Sequence, residues 1–244
     1  MRAYAIGDIH GQLAKLKQAH DLIAADRDHV GDDAAPVVHI GDLPDRGPDT
    51  KGVLAFLMAG IADGAPWVVL KGNHDRMFDW FLLPEPRRDH RMRAEYEWPH
   101  PRIGGLETLA SYDVDISAGR SFDDLHRDAV ALVPDDHKAF LADLPTSYQM
   151  GGLFFCHAGI RPGVALDQQT EDDLLWIRQE FYDSDADHGA LIIHGHTPLD
   201  VVTHFGNRVN IDTGAGYGKD LSAIVIEGRD VALLTENGRV QITP

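Results

Sequence analysis

The sequence predicts an α/β protein whose N-terminal half contains a parallel β-sheet. Short apolar runs rich in β-branched residues alternate with stretches of helical periodicity between residues 4 and 70. This strand–helix–strand–helix–strand order is typical of parallel βαβ units. The last third of the chain is dense in strand-like runs joined by short turns, such as residues 236–239. Short turns of this kind are typical of antiparallel hairpins.

Nine runs predict strands, at residues 4–6, 37–40, 67–70, 153–156, 191–193, 201–204, 209–211, 223–226 and 231–234. Two stretches predict helices, at residues 12–26 and 49–62. In the first of them Leu13, Leu16, His20 and Ile23 recur at helical spacing. Asp49 stands where an N-cap is expected for the second.

The segment 78–132 follows neither periodicity. Between residues 84 and 102 it contains four prolines and five arginines, together with Tyr96 and Trp98. We expect a helical insertion with irregular loops inside a single domain that spans residues 1–244. Four acidic residues accompany the arginines, so the charges nearly cancel. Two roles for the segment are therefore compatible with the sequence: a solvated surface of mixed charge, or a clamp for the substrate.

Composition limits the class of protein. The net charge of −17 argues against broad nucleic-acid binding, whose affinity comes mostly from neutralisation of phosphates by Lys and Arg. A single cysteine excludes an internal disulfide framework and fits a reducing cytosol. The N-terminus shows no signal-peptide pattern, and no apolar run is long enough to span a bilayer. We therefore expect a cytoplasmic protein with no membrane and no nucleic-acid partner.

Five glycine-flanked or histidine-containing clusters of polar residues each follow a strand-like run. They offer carboxylate, amide and imidazole groups, which are the ligands that divalent metals take. Several strand ends that converge on one polar site predict a two-metal hydrolase. The clusters are Gly7-Asp8-Ile9-His10-Gly11, Gly41-Asp42-Leu43-Pro44-Asp45-Arg46-Gly47, Gly72-Asn73-His74-Asp75, His157-Ala158-Gly159 and His194-Gly195-His196-Thr197.

Strand geometry indicates which of these side chains meet. Residues i and i+2 of a strand point the same way, so Asp8 and His10 are expected to reach toward one point. Asp42 and Asn73 follow the second and third strands of the parallel sheet. Because ligands bind beyond the carboxyl ends of such strands, both should lie beside Asp8.

Several of these residues also have an ordinary structural interpretation. Asp75 precedes a helix and is equally well explained as its cap. His194 alternates with His196 and is expected to be a core or supporting residue. Cys156 is expected to be a small buried hydrophobe and not a nucleophile.

The glycine-rich loop at residues 214–219 superficially suggests a nucleotide-binding loop. Thr213 stands where the first glycine of a phosphate loop should be, and Asp220 stands where Ser or Thr should be. We therefore do not predict a phosphate-loop NTPase, and the single cysteine excludes a zinc finger.

The ordered motifs GDIHG, GDLPDRG, GNHD, HAG and HGHT resemble those of the calcineurin-like metallophosphoesterases, in particular the bacterial and phage serine/threonine phosphatases. The resemblance covers residues 7–215. It implies a four-layer αββα sandwich of two mixed β-sheets flanked by helices. It also implies six metal ligands in two sets that share Asp42. The ligands implied are Asp8, His10 and Asp42 for the first ion, and Asp42, Asn73, His157 and His196 for the second.

The resemblance further implies catalytic roles. Arg46 and Arg178 would hold the phosphoryl oxygens, His74 would be the general acid, and Asp45 would orient it. A hydroxide shared between the two metals would attack phosphorus. Mixed nitrogen and oxygen ligation suits Mn, Fe or Zn better than Ca or Mg, and Mn²⁺ is the ion that we expect, with Fe or Zn as alternatives.

Three functional hypotheses follow. The first is a phosphomonoesterase of the protein phosphatase type that acts on a phosphorylated protein or peptide or on a small phosphoester. The second is a bis(5'-nucleosyl)-tetraphosphatase, because Asp75 replaces the Glu of protein phosphatases and the insertion is rich in arginine and aromatic residues. The third, a degenerate binding scaffold, is disfavoured because no matched ligand is missing. Pro44 departs from the family's usual Val without altering a ligand.

Overall fold

Two mixed β-sheets pack face to face in the computed structural model, which describes residues 1–244. Their spatial orders are β11-β10-β9-β1-β2-β3 and β4-β5-β6-β8-β7. The strands are β1 Arg2–Ile6, β2 Val37–His39, β3 Trp67–Val69, β4 Ser147–Met150, β5 Leu153–Cys156, β6 Leu191–His194, β7 Thr203–His204, β8 Arg208–Asn210, β9 Ala223–Glu227, β10 Asp230–Thr235 and β11 Gly238–Ile242.

Helices cover the outer face of each sheet. They are α1 Leu13–Val30, α2 Thr50–Ala62, α3 Asn73–Phe81, α4 Gly105–Ser111, α5 Phe122–Leu132, α6 Asp135–Asp143, α7 Glu171–Trp176 and α8 Gln179–Tyr182. None of them combines the length and the hydropathy that spanning a bilayer requires.

Strand alternation builds three apolar layers. Along β1, Tyr4 packs in the core beneath the helices, whereas Ala3 and Ala5 face the second sheet. Along β5, Phe155 lies between the sheets and Phe154 packs outward against α7 and α8. The order of layers is therefore helix, sheet, sheet, helix, and the predicted αββα sandwich is confirmed.

The N-terminal predictions agree closely with the structure. β1 pairs with β2, and β2 with β3, in parallel. α1 extends beyond the predicted residue 26 and ends at Gly31, whose left-handed φ of 65° closes the helix. The Asp49 side chain accepts a hydrogen bond from the Gly52 N–H at 2.8 Å, so its prediction as the N-cap of α2 is confirmed.

The C-terminal prediction was wrong in part. β9, β10 and β11 form antiparallel hairpins as expected, but β6 pairs in parallel with both β5 and β8. The reason is that α7 and α8 lie between β5 and β6 and give the chain room to cross over. β7 begins only at Thr203, since Val201 is 65% exposed. β4 and β11 were not predicted as strands.

Residues 78–132 complete α3, run through turns to Gly104, and then form α4 and α5. The turn-rich part is anchored by aromatic packing. Trp98 stacks on Phe78 with ring centroids 5.0 Å apart and contacts Phe81 at 4.7 Å. The segment is therefore packed into the helical layer of the core, although it lacks regular structure over half its length.

The turn after β1 depends on Gly7. A Cβ at this position would lie 2.5 Å from the backbone oxygen of Ile211 and 3.0 Å from Ser222 Oγ. We expect Gly7→Ala to lower the free energy of unfolding by about 1–3 kcal/mol through overpacking, measured by urea denaturation. Gly152→Ala is the matched control, because its Cβ would meet no atom within 4 Å. Equal stability of the two variants would contradict this account.

Candidate metal centre

The carboxyl ends of strands from both sheets meet at one buried edge. Asp8 follows β1, while His157 and His196 follow β5 and β6 of the other sheet. The backbone N–H of His196 donates to Asp8 Oδ2 at 3.0 Å, and the N–H of Gly195 donates to the carbonyl of His157 at 2.8 Å. Asp42 Oδ1 lies 3.4 Å from His157 Nε2. Side chains separated by more than 180 residues thus share one site.

One candidate ligand set contains two imidazoles and an amide. Asn73 Oδ1 lies 2.9 Å from His157 Nε2 and 2.8 Å from His196 Nδ1, and the two nitrogens are 3.1 Å apart. The ligand atoms of Asp42, His157 and His196 all lie within 4.8 Å of one another. This spacing suits a single divalent cation coordinated by nitrogen and oxygen.

A second set shares Asp42. His10 Nε2 lies 3.5 Å from Asp42 Oδ2, and His10, Asp42 and His74 form the second group with ligand atoms within 4.8 Å of one another. His10 Nδ1 lies 2.9 Å from the carbonyl oxygen of Pro44. As a donor to that carbonyl, Nδ1 leaves the lone pair of Nε2 to accept. Arg46 Nη1 lies 2.5 Å from Nε2 in the structure, at the position where a metal would bind. The contact between His10 and Pro44 uses only the carbonyl of Pro44, so it does not need the backbone N–H that proline lacks.

Asp8 supplies a separate observation that fits a cation ligand. Its Oδ1 is buried and has no hydrogen-bond partner. The sequence prediction grouped Asp8 with His10 and Asp42, whereas the tight group that the structure forms contains His74 in place of Asp8. The orphaned oxygen of Asp8 fits the predicted ligand role, which stays a prediction.

Three buried carboxylates repel one another at this edge. Burial, together with the carboxylates of Asp212 and Asp42, raises the pKa of Asp8 well above its usual range. Burial and the Asp42 carboxylate also raise the pKa of Asp212, to about 6. Cations at this edge would relieve the repulsion.

The imidazoles are held in the form that binds metals. Burial lowers the pKa of His10, His157 and His196, so all three favour the neutral state. A neutral imidazole nitrogen is a common metal ligand. Together with the carboxylates and Asn73, this donor chemistry fits two divalent ions.

His74 and Asp45 form a buried pair beside the metal ligands. His74 Nδ1 lies 2.5 Å from Asp45 Oδ2, and Arg46 Nη2 lies 3.1 Å from His74 Nε2. The backbone N–H of His74 donates to Asp42 Oδ1 at 2.9 Å. The pair is therefore fixed relative to the shared ligand, with Nε2 of His74 toward the cleft.

The remaining sequence-predicted residues fall into two groups. Arg178 lines the cleft and donates to Thr197 Oγ1 at 2.7 Å. Asp75 lies inside the first turn of α3 and not before it, since Gly72 is the N-cap. Its carboxylate accepts hydrogen bonds from the backbone N–H groups of Gly72 and Asp42, at 2.6 and 2.8 Å, so it caps the helix from within. His194 and Cys156 are buried, which confirms their interpretation as core residues.

The cleft has a volume of about 830 Å³, and the insertion forms one of its walls. Arg91, Arg93 and Tyr96 line this wall, while Arg46 and Arg178 lie on the side of the metal ligands. Neither Arg91 nor Arg93 makes a salt bridge, and both are exposed. The cleft thus presents four arginines, two of which are free to meet a ligand.

An ionic network with a buried centre at Arg76 and Asp89 and a partly exposed edge at Asp172 and His90 attaches this wall to the rest of the protein. Arg76 of α3 contacts Asp89 through Nε at 2.9 Å and Nη2 at 2.8 Å, and donates to Asp172 at 2.8 Å. Trp176 Nε1 donates to the same Asp89 oxygen at 3.1 Å, and His90 Nε2 lies 2.8 Å from Asp172. The loop that carries Arg91 and Arg93 is therefore tied to α3 and α7.

The sequence did not single out Asp212, Trp98 or Thr108 as site residues. Asp212 follows β8 at the same edge as the other carboxylates, so the strand-end rule could have found it. Trp98 and Thr108 both donate to Asp45, at 3.0 and 2.8 Å. No local pattern marks either of them, because these contacts join residues more than 50 positions apart.

Comparison with known proteins agrees with this geometry. A family model described as calcineurin-like phosphoesterase matches residues 1–228. A bis(5'-nucleosyl)-tetraphosphatase PrpE (asymmetrical) from Anoxybacillus flavithermus is 26% identical, over 90% of this chain and 88% of that protein. A bis(5'-nucleosyl)-tetraphosphatase (symmetrical) from Coxiella burnetii is 34% identical over 101 residues, 39% of this chain and 31% of that protein.

Solved structures show the same fold. The cold-active protein-tyrosine phosphatase of a Shewanella species has a TM-score of 0.65 at 17% identity, covering 99% of this chain and 80% of that chain. A protein serine/threonine phosphatase from Saccharomyces cerevisiae has a TM-score of 0.54 at 16% identity, covering 93% and 72%. At these identities the likeness concerns the fold alone.

The shared ligand Asp42 generates the first prediction about this site. Binding of Mn²⁺ to the folded state should raise the free energy of unfolding by about 2.7 kcal/mol when free Mn²⁺ is in hundredfold excess over Kd. The unfolding temperature should rise accordingly. We expect Asp42→Asn to lose this rise and to bind less metal by elemental analysis. Asp143→Asn, an exposed change of the same chemistry, should keep both. Full metal content in Asp42→Asn would refute the shared-ligand assignment.

Proposed function

Because the chain belongs to the calcineurin-like phosphoesterase family, we propose that it hydrolyses dinucleoside polyphosphates with the help of two divalent metal ions. The general activity, that of a metal-dependent phosphoric ester hydrolase, follows from the family and from the His and Asp groups suited to a metal. The observation that carries this substrate class is the second pair of arginines in the cleft, Arg91 and Arg93, on the wall that the insertion forms.

The arginine count favours a chain of phosphates over a single one. Arg46 and Arg178 offer two guanidinium forks, which suffice for the equatorial oxygens of one phosphoryl group. If the substrate carried only this one phosphoryl group, Arg91 and Arg93 would have no anion to bind. Further phosphates of a polyphosphate would meet them, and Tyr96 on the same wall could stack on a base.

The relatives support the same substrate class. The full-length relatives of about this identity are named bis(5'-nucleosyl)-tetraphosphatases, and they align with nine-tenths of this chain. The symmetrical and the asymmetrical enzyme names both occur among the relatives. The proposal therefore commits to the substrate class and not to which phosphoanhydride bond is broken.

The roles proposed for the chain's residues follow from their positions. Two divalent ions held by Asp8, His10, Asp42, Asn73, His157 and His196 would lower the pKa of water and supply a nucleophile at neutral pH. Arg46 and Arg178 would orient the phosphoryl group toward it. His74 Nε2 accepts from Arg46 Nη2 at 3.1 Å in the structure. With Arg46 turned to the phosphoryl group, Nε2 would carry a proton and donate it to the leaving oxygen, while Asp45 keeps Nδ1 in place. Mn²⁺ is the ion that we propose, with Fe or Zn as alternatives.

A second candidate function rests on the His74–Asp45 pair. A polyphosphate leaving group is already stable as an anion, whereas the alkoxide of a phosphoserine ester needs a proton from a general acid. A buried acid pair therefore favours a phosphomonoesterase that acts on a phosphorylated protein, peptide or small phosphoester.

A cytoplasmic location also remains a prediction, and it rests on the single cysteine.

Product analysis distinguishes the two candidates. Mn²⁺-loaded protein is incubated with diadenosine tetraphosphate, and the products are separated by chromatography. We expect ADP alone, or AMP with ATP, at a rate above that for a phosphoserine peptide. Release of phosphate from the peptide with no adenine nucleotide formed at high enzyme concentration would establish the second candidate and remove the first.

Charge reversal in the insertion tests the polyphosphate wall. We expect Arg91→Glu and Arg93→Glu each to raise KM for diadenosine tetraphosphate about tenfold, since a hydrogen bond to a charged group contributes about 1.5–3 kcal/mol. KM for p-nitrophenyl phosphate should change little. Arg229→Glu, on the turn between β9 and β10, changes the net charge equally and should leave both values unaltered. An unchanged KM for the dinucleotide in both variants would exclude the clamp.

A further inference from the structure

The carboxylate of Asp45 accepts hydrogen bonds from three side-chain donors. His74 Nδ1 and Trp98 Nε1 both approach Oδ2, at 2.5 and 3.0 Å, and Thr108 Oγ1 donates to Oδ1 at 2.8 Å. Asp45 has no solvent-exposed surface. Two of its three side-chain donors therefore come from the segment 78–132, outside all five polar clusters.

The same segment also holds the backbone at this point. The Asp45 N–H donates to Thr108 Oγ1 at 2.8 Å, and the Arg46 N–H donates to the carbonyl of Gly104 at 3.1 Å. Asp45 and Arg46 both have left-handed φ angles, of 76° and 67°, which non-glycine residues seldom adopt. The Thr108 hydroxyl thus donates to the Asp45 side chain and accepts from its backbone.

Packing fixes the direction of the Trp98 N–H. The indole ring stacks on Phe78 at an interplanar angle of 17° and contacts Phe81. A Cβ at Gly105 would lie 2.7 Å from the Trp98 carbonyl oxygen and 2.9 Å from its ring. Gly105 at the start of α4 therefore packs closely against the Trp98 ring. Together with Phe78 and Phe81, it leaves the ring little freedom to rotate.

We propose that Trp98 and Thr108 are positioning residues that fix Asp45, and through Asp45 the tautomer and direction of the His74 ring. The proposal rests on the acid role of His74 in the proposed function. With both carboxylate oxygens held by neutral donors, Asp45 cannot rotate away from His74, and Nδ1 of His74 keeps its proton. When the bond between phosphorus and the leaving oxygen breaks, the Nε2 proton moves to that oxygen. The imidazole is left neutral, still hydrogen-bonded to Asp45.

Conservative variants test the two residues separately. Trp98→Phe removes the N–H and keeps a ring in the aromatic cluster, and Thr108→Val removes the hydroxyl at similar volume. We expect each to lower kcat for phenyl phosphate, a poor leaving group, about tenfold, because an acid contributes most where the leaving oxygen is most basic. The loss on p-nitrophenyl phosphate should be several times smaller, and KM should change less than twofold. Thr108→Ser, which keeps the hydroxyl, should restore most of the loss.

Two further measurements separate positioning from a general loss of structure. The Nδ1 proton of His74, assigned in the ¹H NMR spectrum by its absence in His74→Asn, should move upfield in Trp98→Phe and Thr108→Val. In an Asp45→Asn background, Trp98→Phe should add less than a twofold loss on phenyl phosphate, because it would act through the same carboxylate. Trp67→Phe and Thr203→Val, both on strands of the sheets, are controls expected to leave the leaving-group dependence unchanged.

The outcomes distinguish this inference from the proposed function. If the wild-type protein hydrolyses both esters and the variants lose equally on each, with no NMR shift, the positioning role is overturned and the hydrolase assignment stands. If His74→Asn itself loses equally on both esters, the acid role fails and the inference falls with it. A selective loss on phenyl phosphate, together with the NMR shift, supports both.

Discussion

Repulsion between buried carboxylates is the constraint on which the rest of this structure depends. Asp8, Asp42 and Asp212 all lie buried where the strands of both sheets end. Backbone N–H groups meet each of them: His196 donates to Asp8, His74 to Asp42, and Gly214 to Asp212. These donors orient the carboxylates but do not neutralise them. The fold therefore gathers three buried carboxylates whose ionised forms cations would stabilise, and bound cations would let a protein of net charge −17 attract a phosphate ester.

Backbone strain is concentrated at the same edge. Only six non-glycine residues have positive φ angles, and five of them are candidate site residues: His10, Asp42, Asp45, Arg46 and His196. Such conformations cost about 1–3 kcal/mol each and persist only where surrounding contacts determine them. Here the contacts come from neighbouring loops, as when His10 and Ile9 donate their N–H groups to the Asp42 carbonyl. The apolar layers within and between the sheets provide the stability that allows this strain.

The parts of the site that could be predicted from the sequence are those that local rules govern. Asp8, Asp42 and Asn73 each follow a parallel strand, and parallel strands end at one edge, so their proximity follows from strand order alone. The convergence of His157 and His196 on them depends on how the second sheet packs against the first. The sequence indicated it only through the recurrence of polar clusters after strand-like runs and through the family resemblance. β4 was missed because Ser147–Met150 contains no apolar run and is mostly half-exposed. The parallel pairing of β6 was missed because two short helices between strands leave little periodic signal.

The contacts of residues 78–132 show why the remaining part of the site could not be predicted from the sequence. They also show why the substrate class could not be predicted from the five polar clusters alone. Trp98 and Thr108 reach Asp45 across 53 and 63 positions of sequence, and no spacing rule operates at that range. Arg91 and Arg93 line the cleft on a loop whose Asp89 is hydrogen-bonded to Arg76 and Trp176. One segment without regular periodicity therefore carries both the donors to Asp45 of the proposed acid pair and the second pair of arginines. A change in how this segment packs would alter substrate recognition and leaving-group protonation together, while the metal ligands on the strand ends stayed in place. The difference between a polyphosphate hydrolase and a phosphomonoesterase on this scaffold should therefore be sought in residues 78–132, where the five polar clusters give no information.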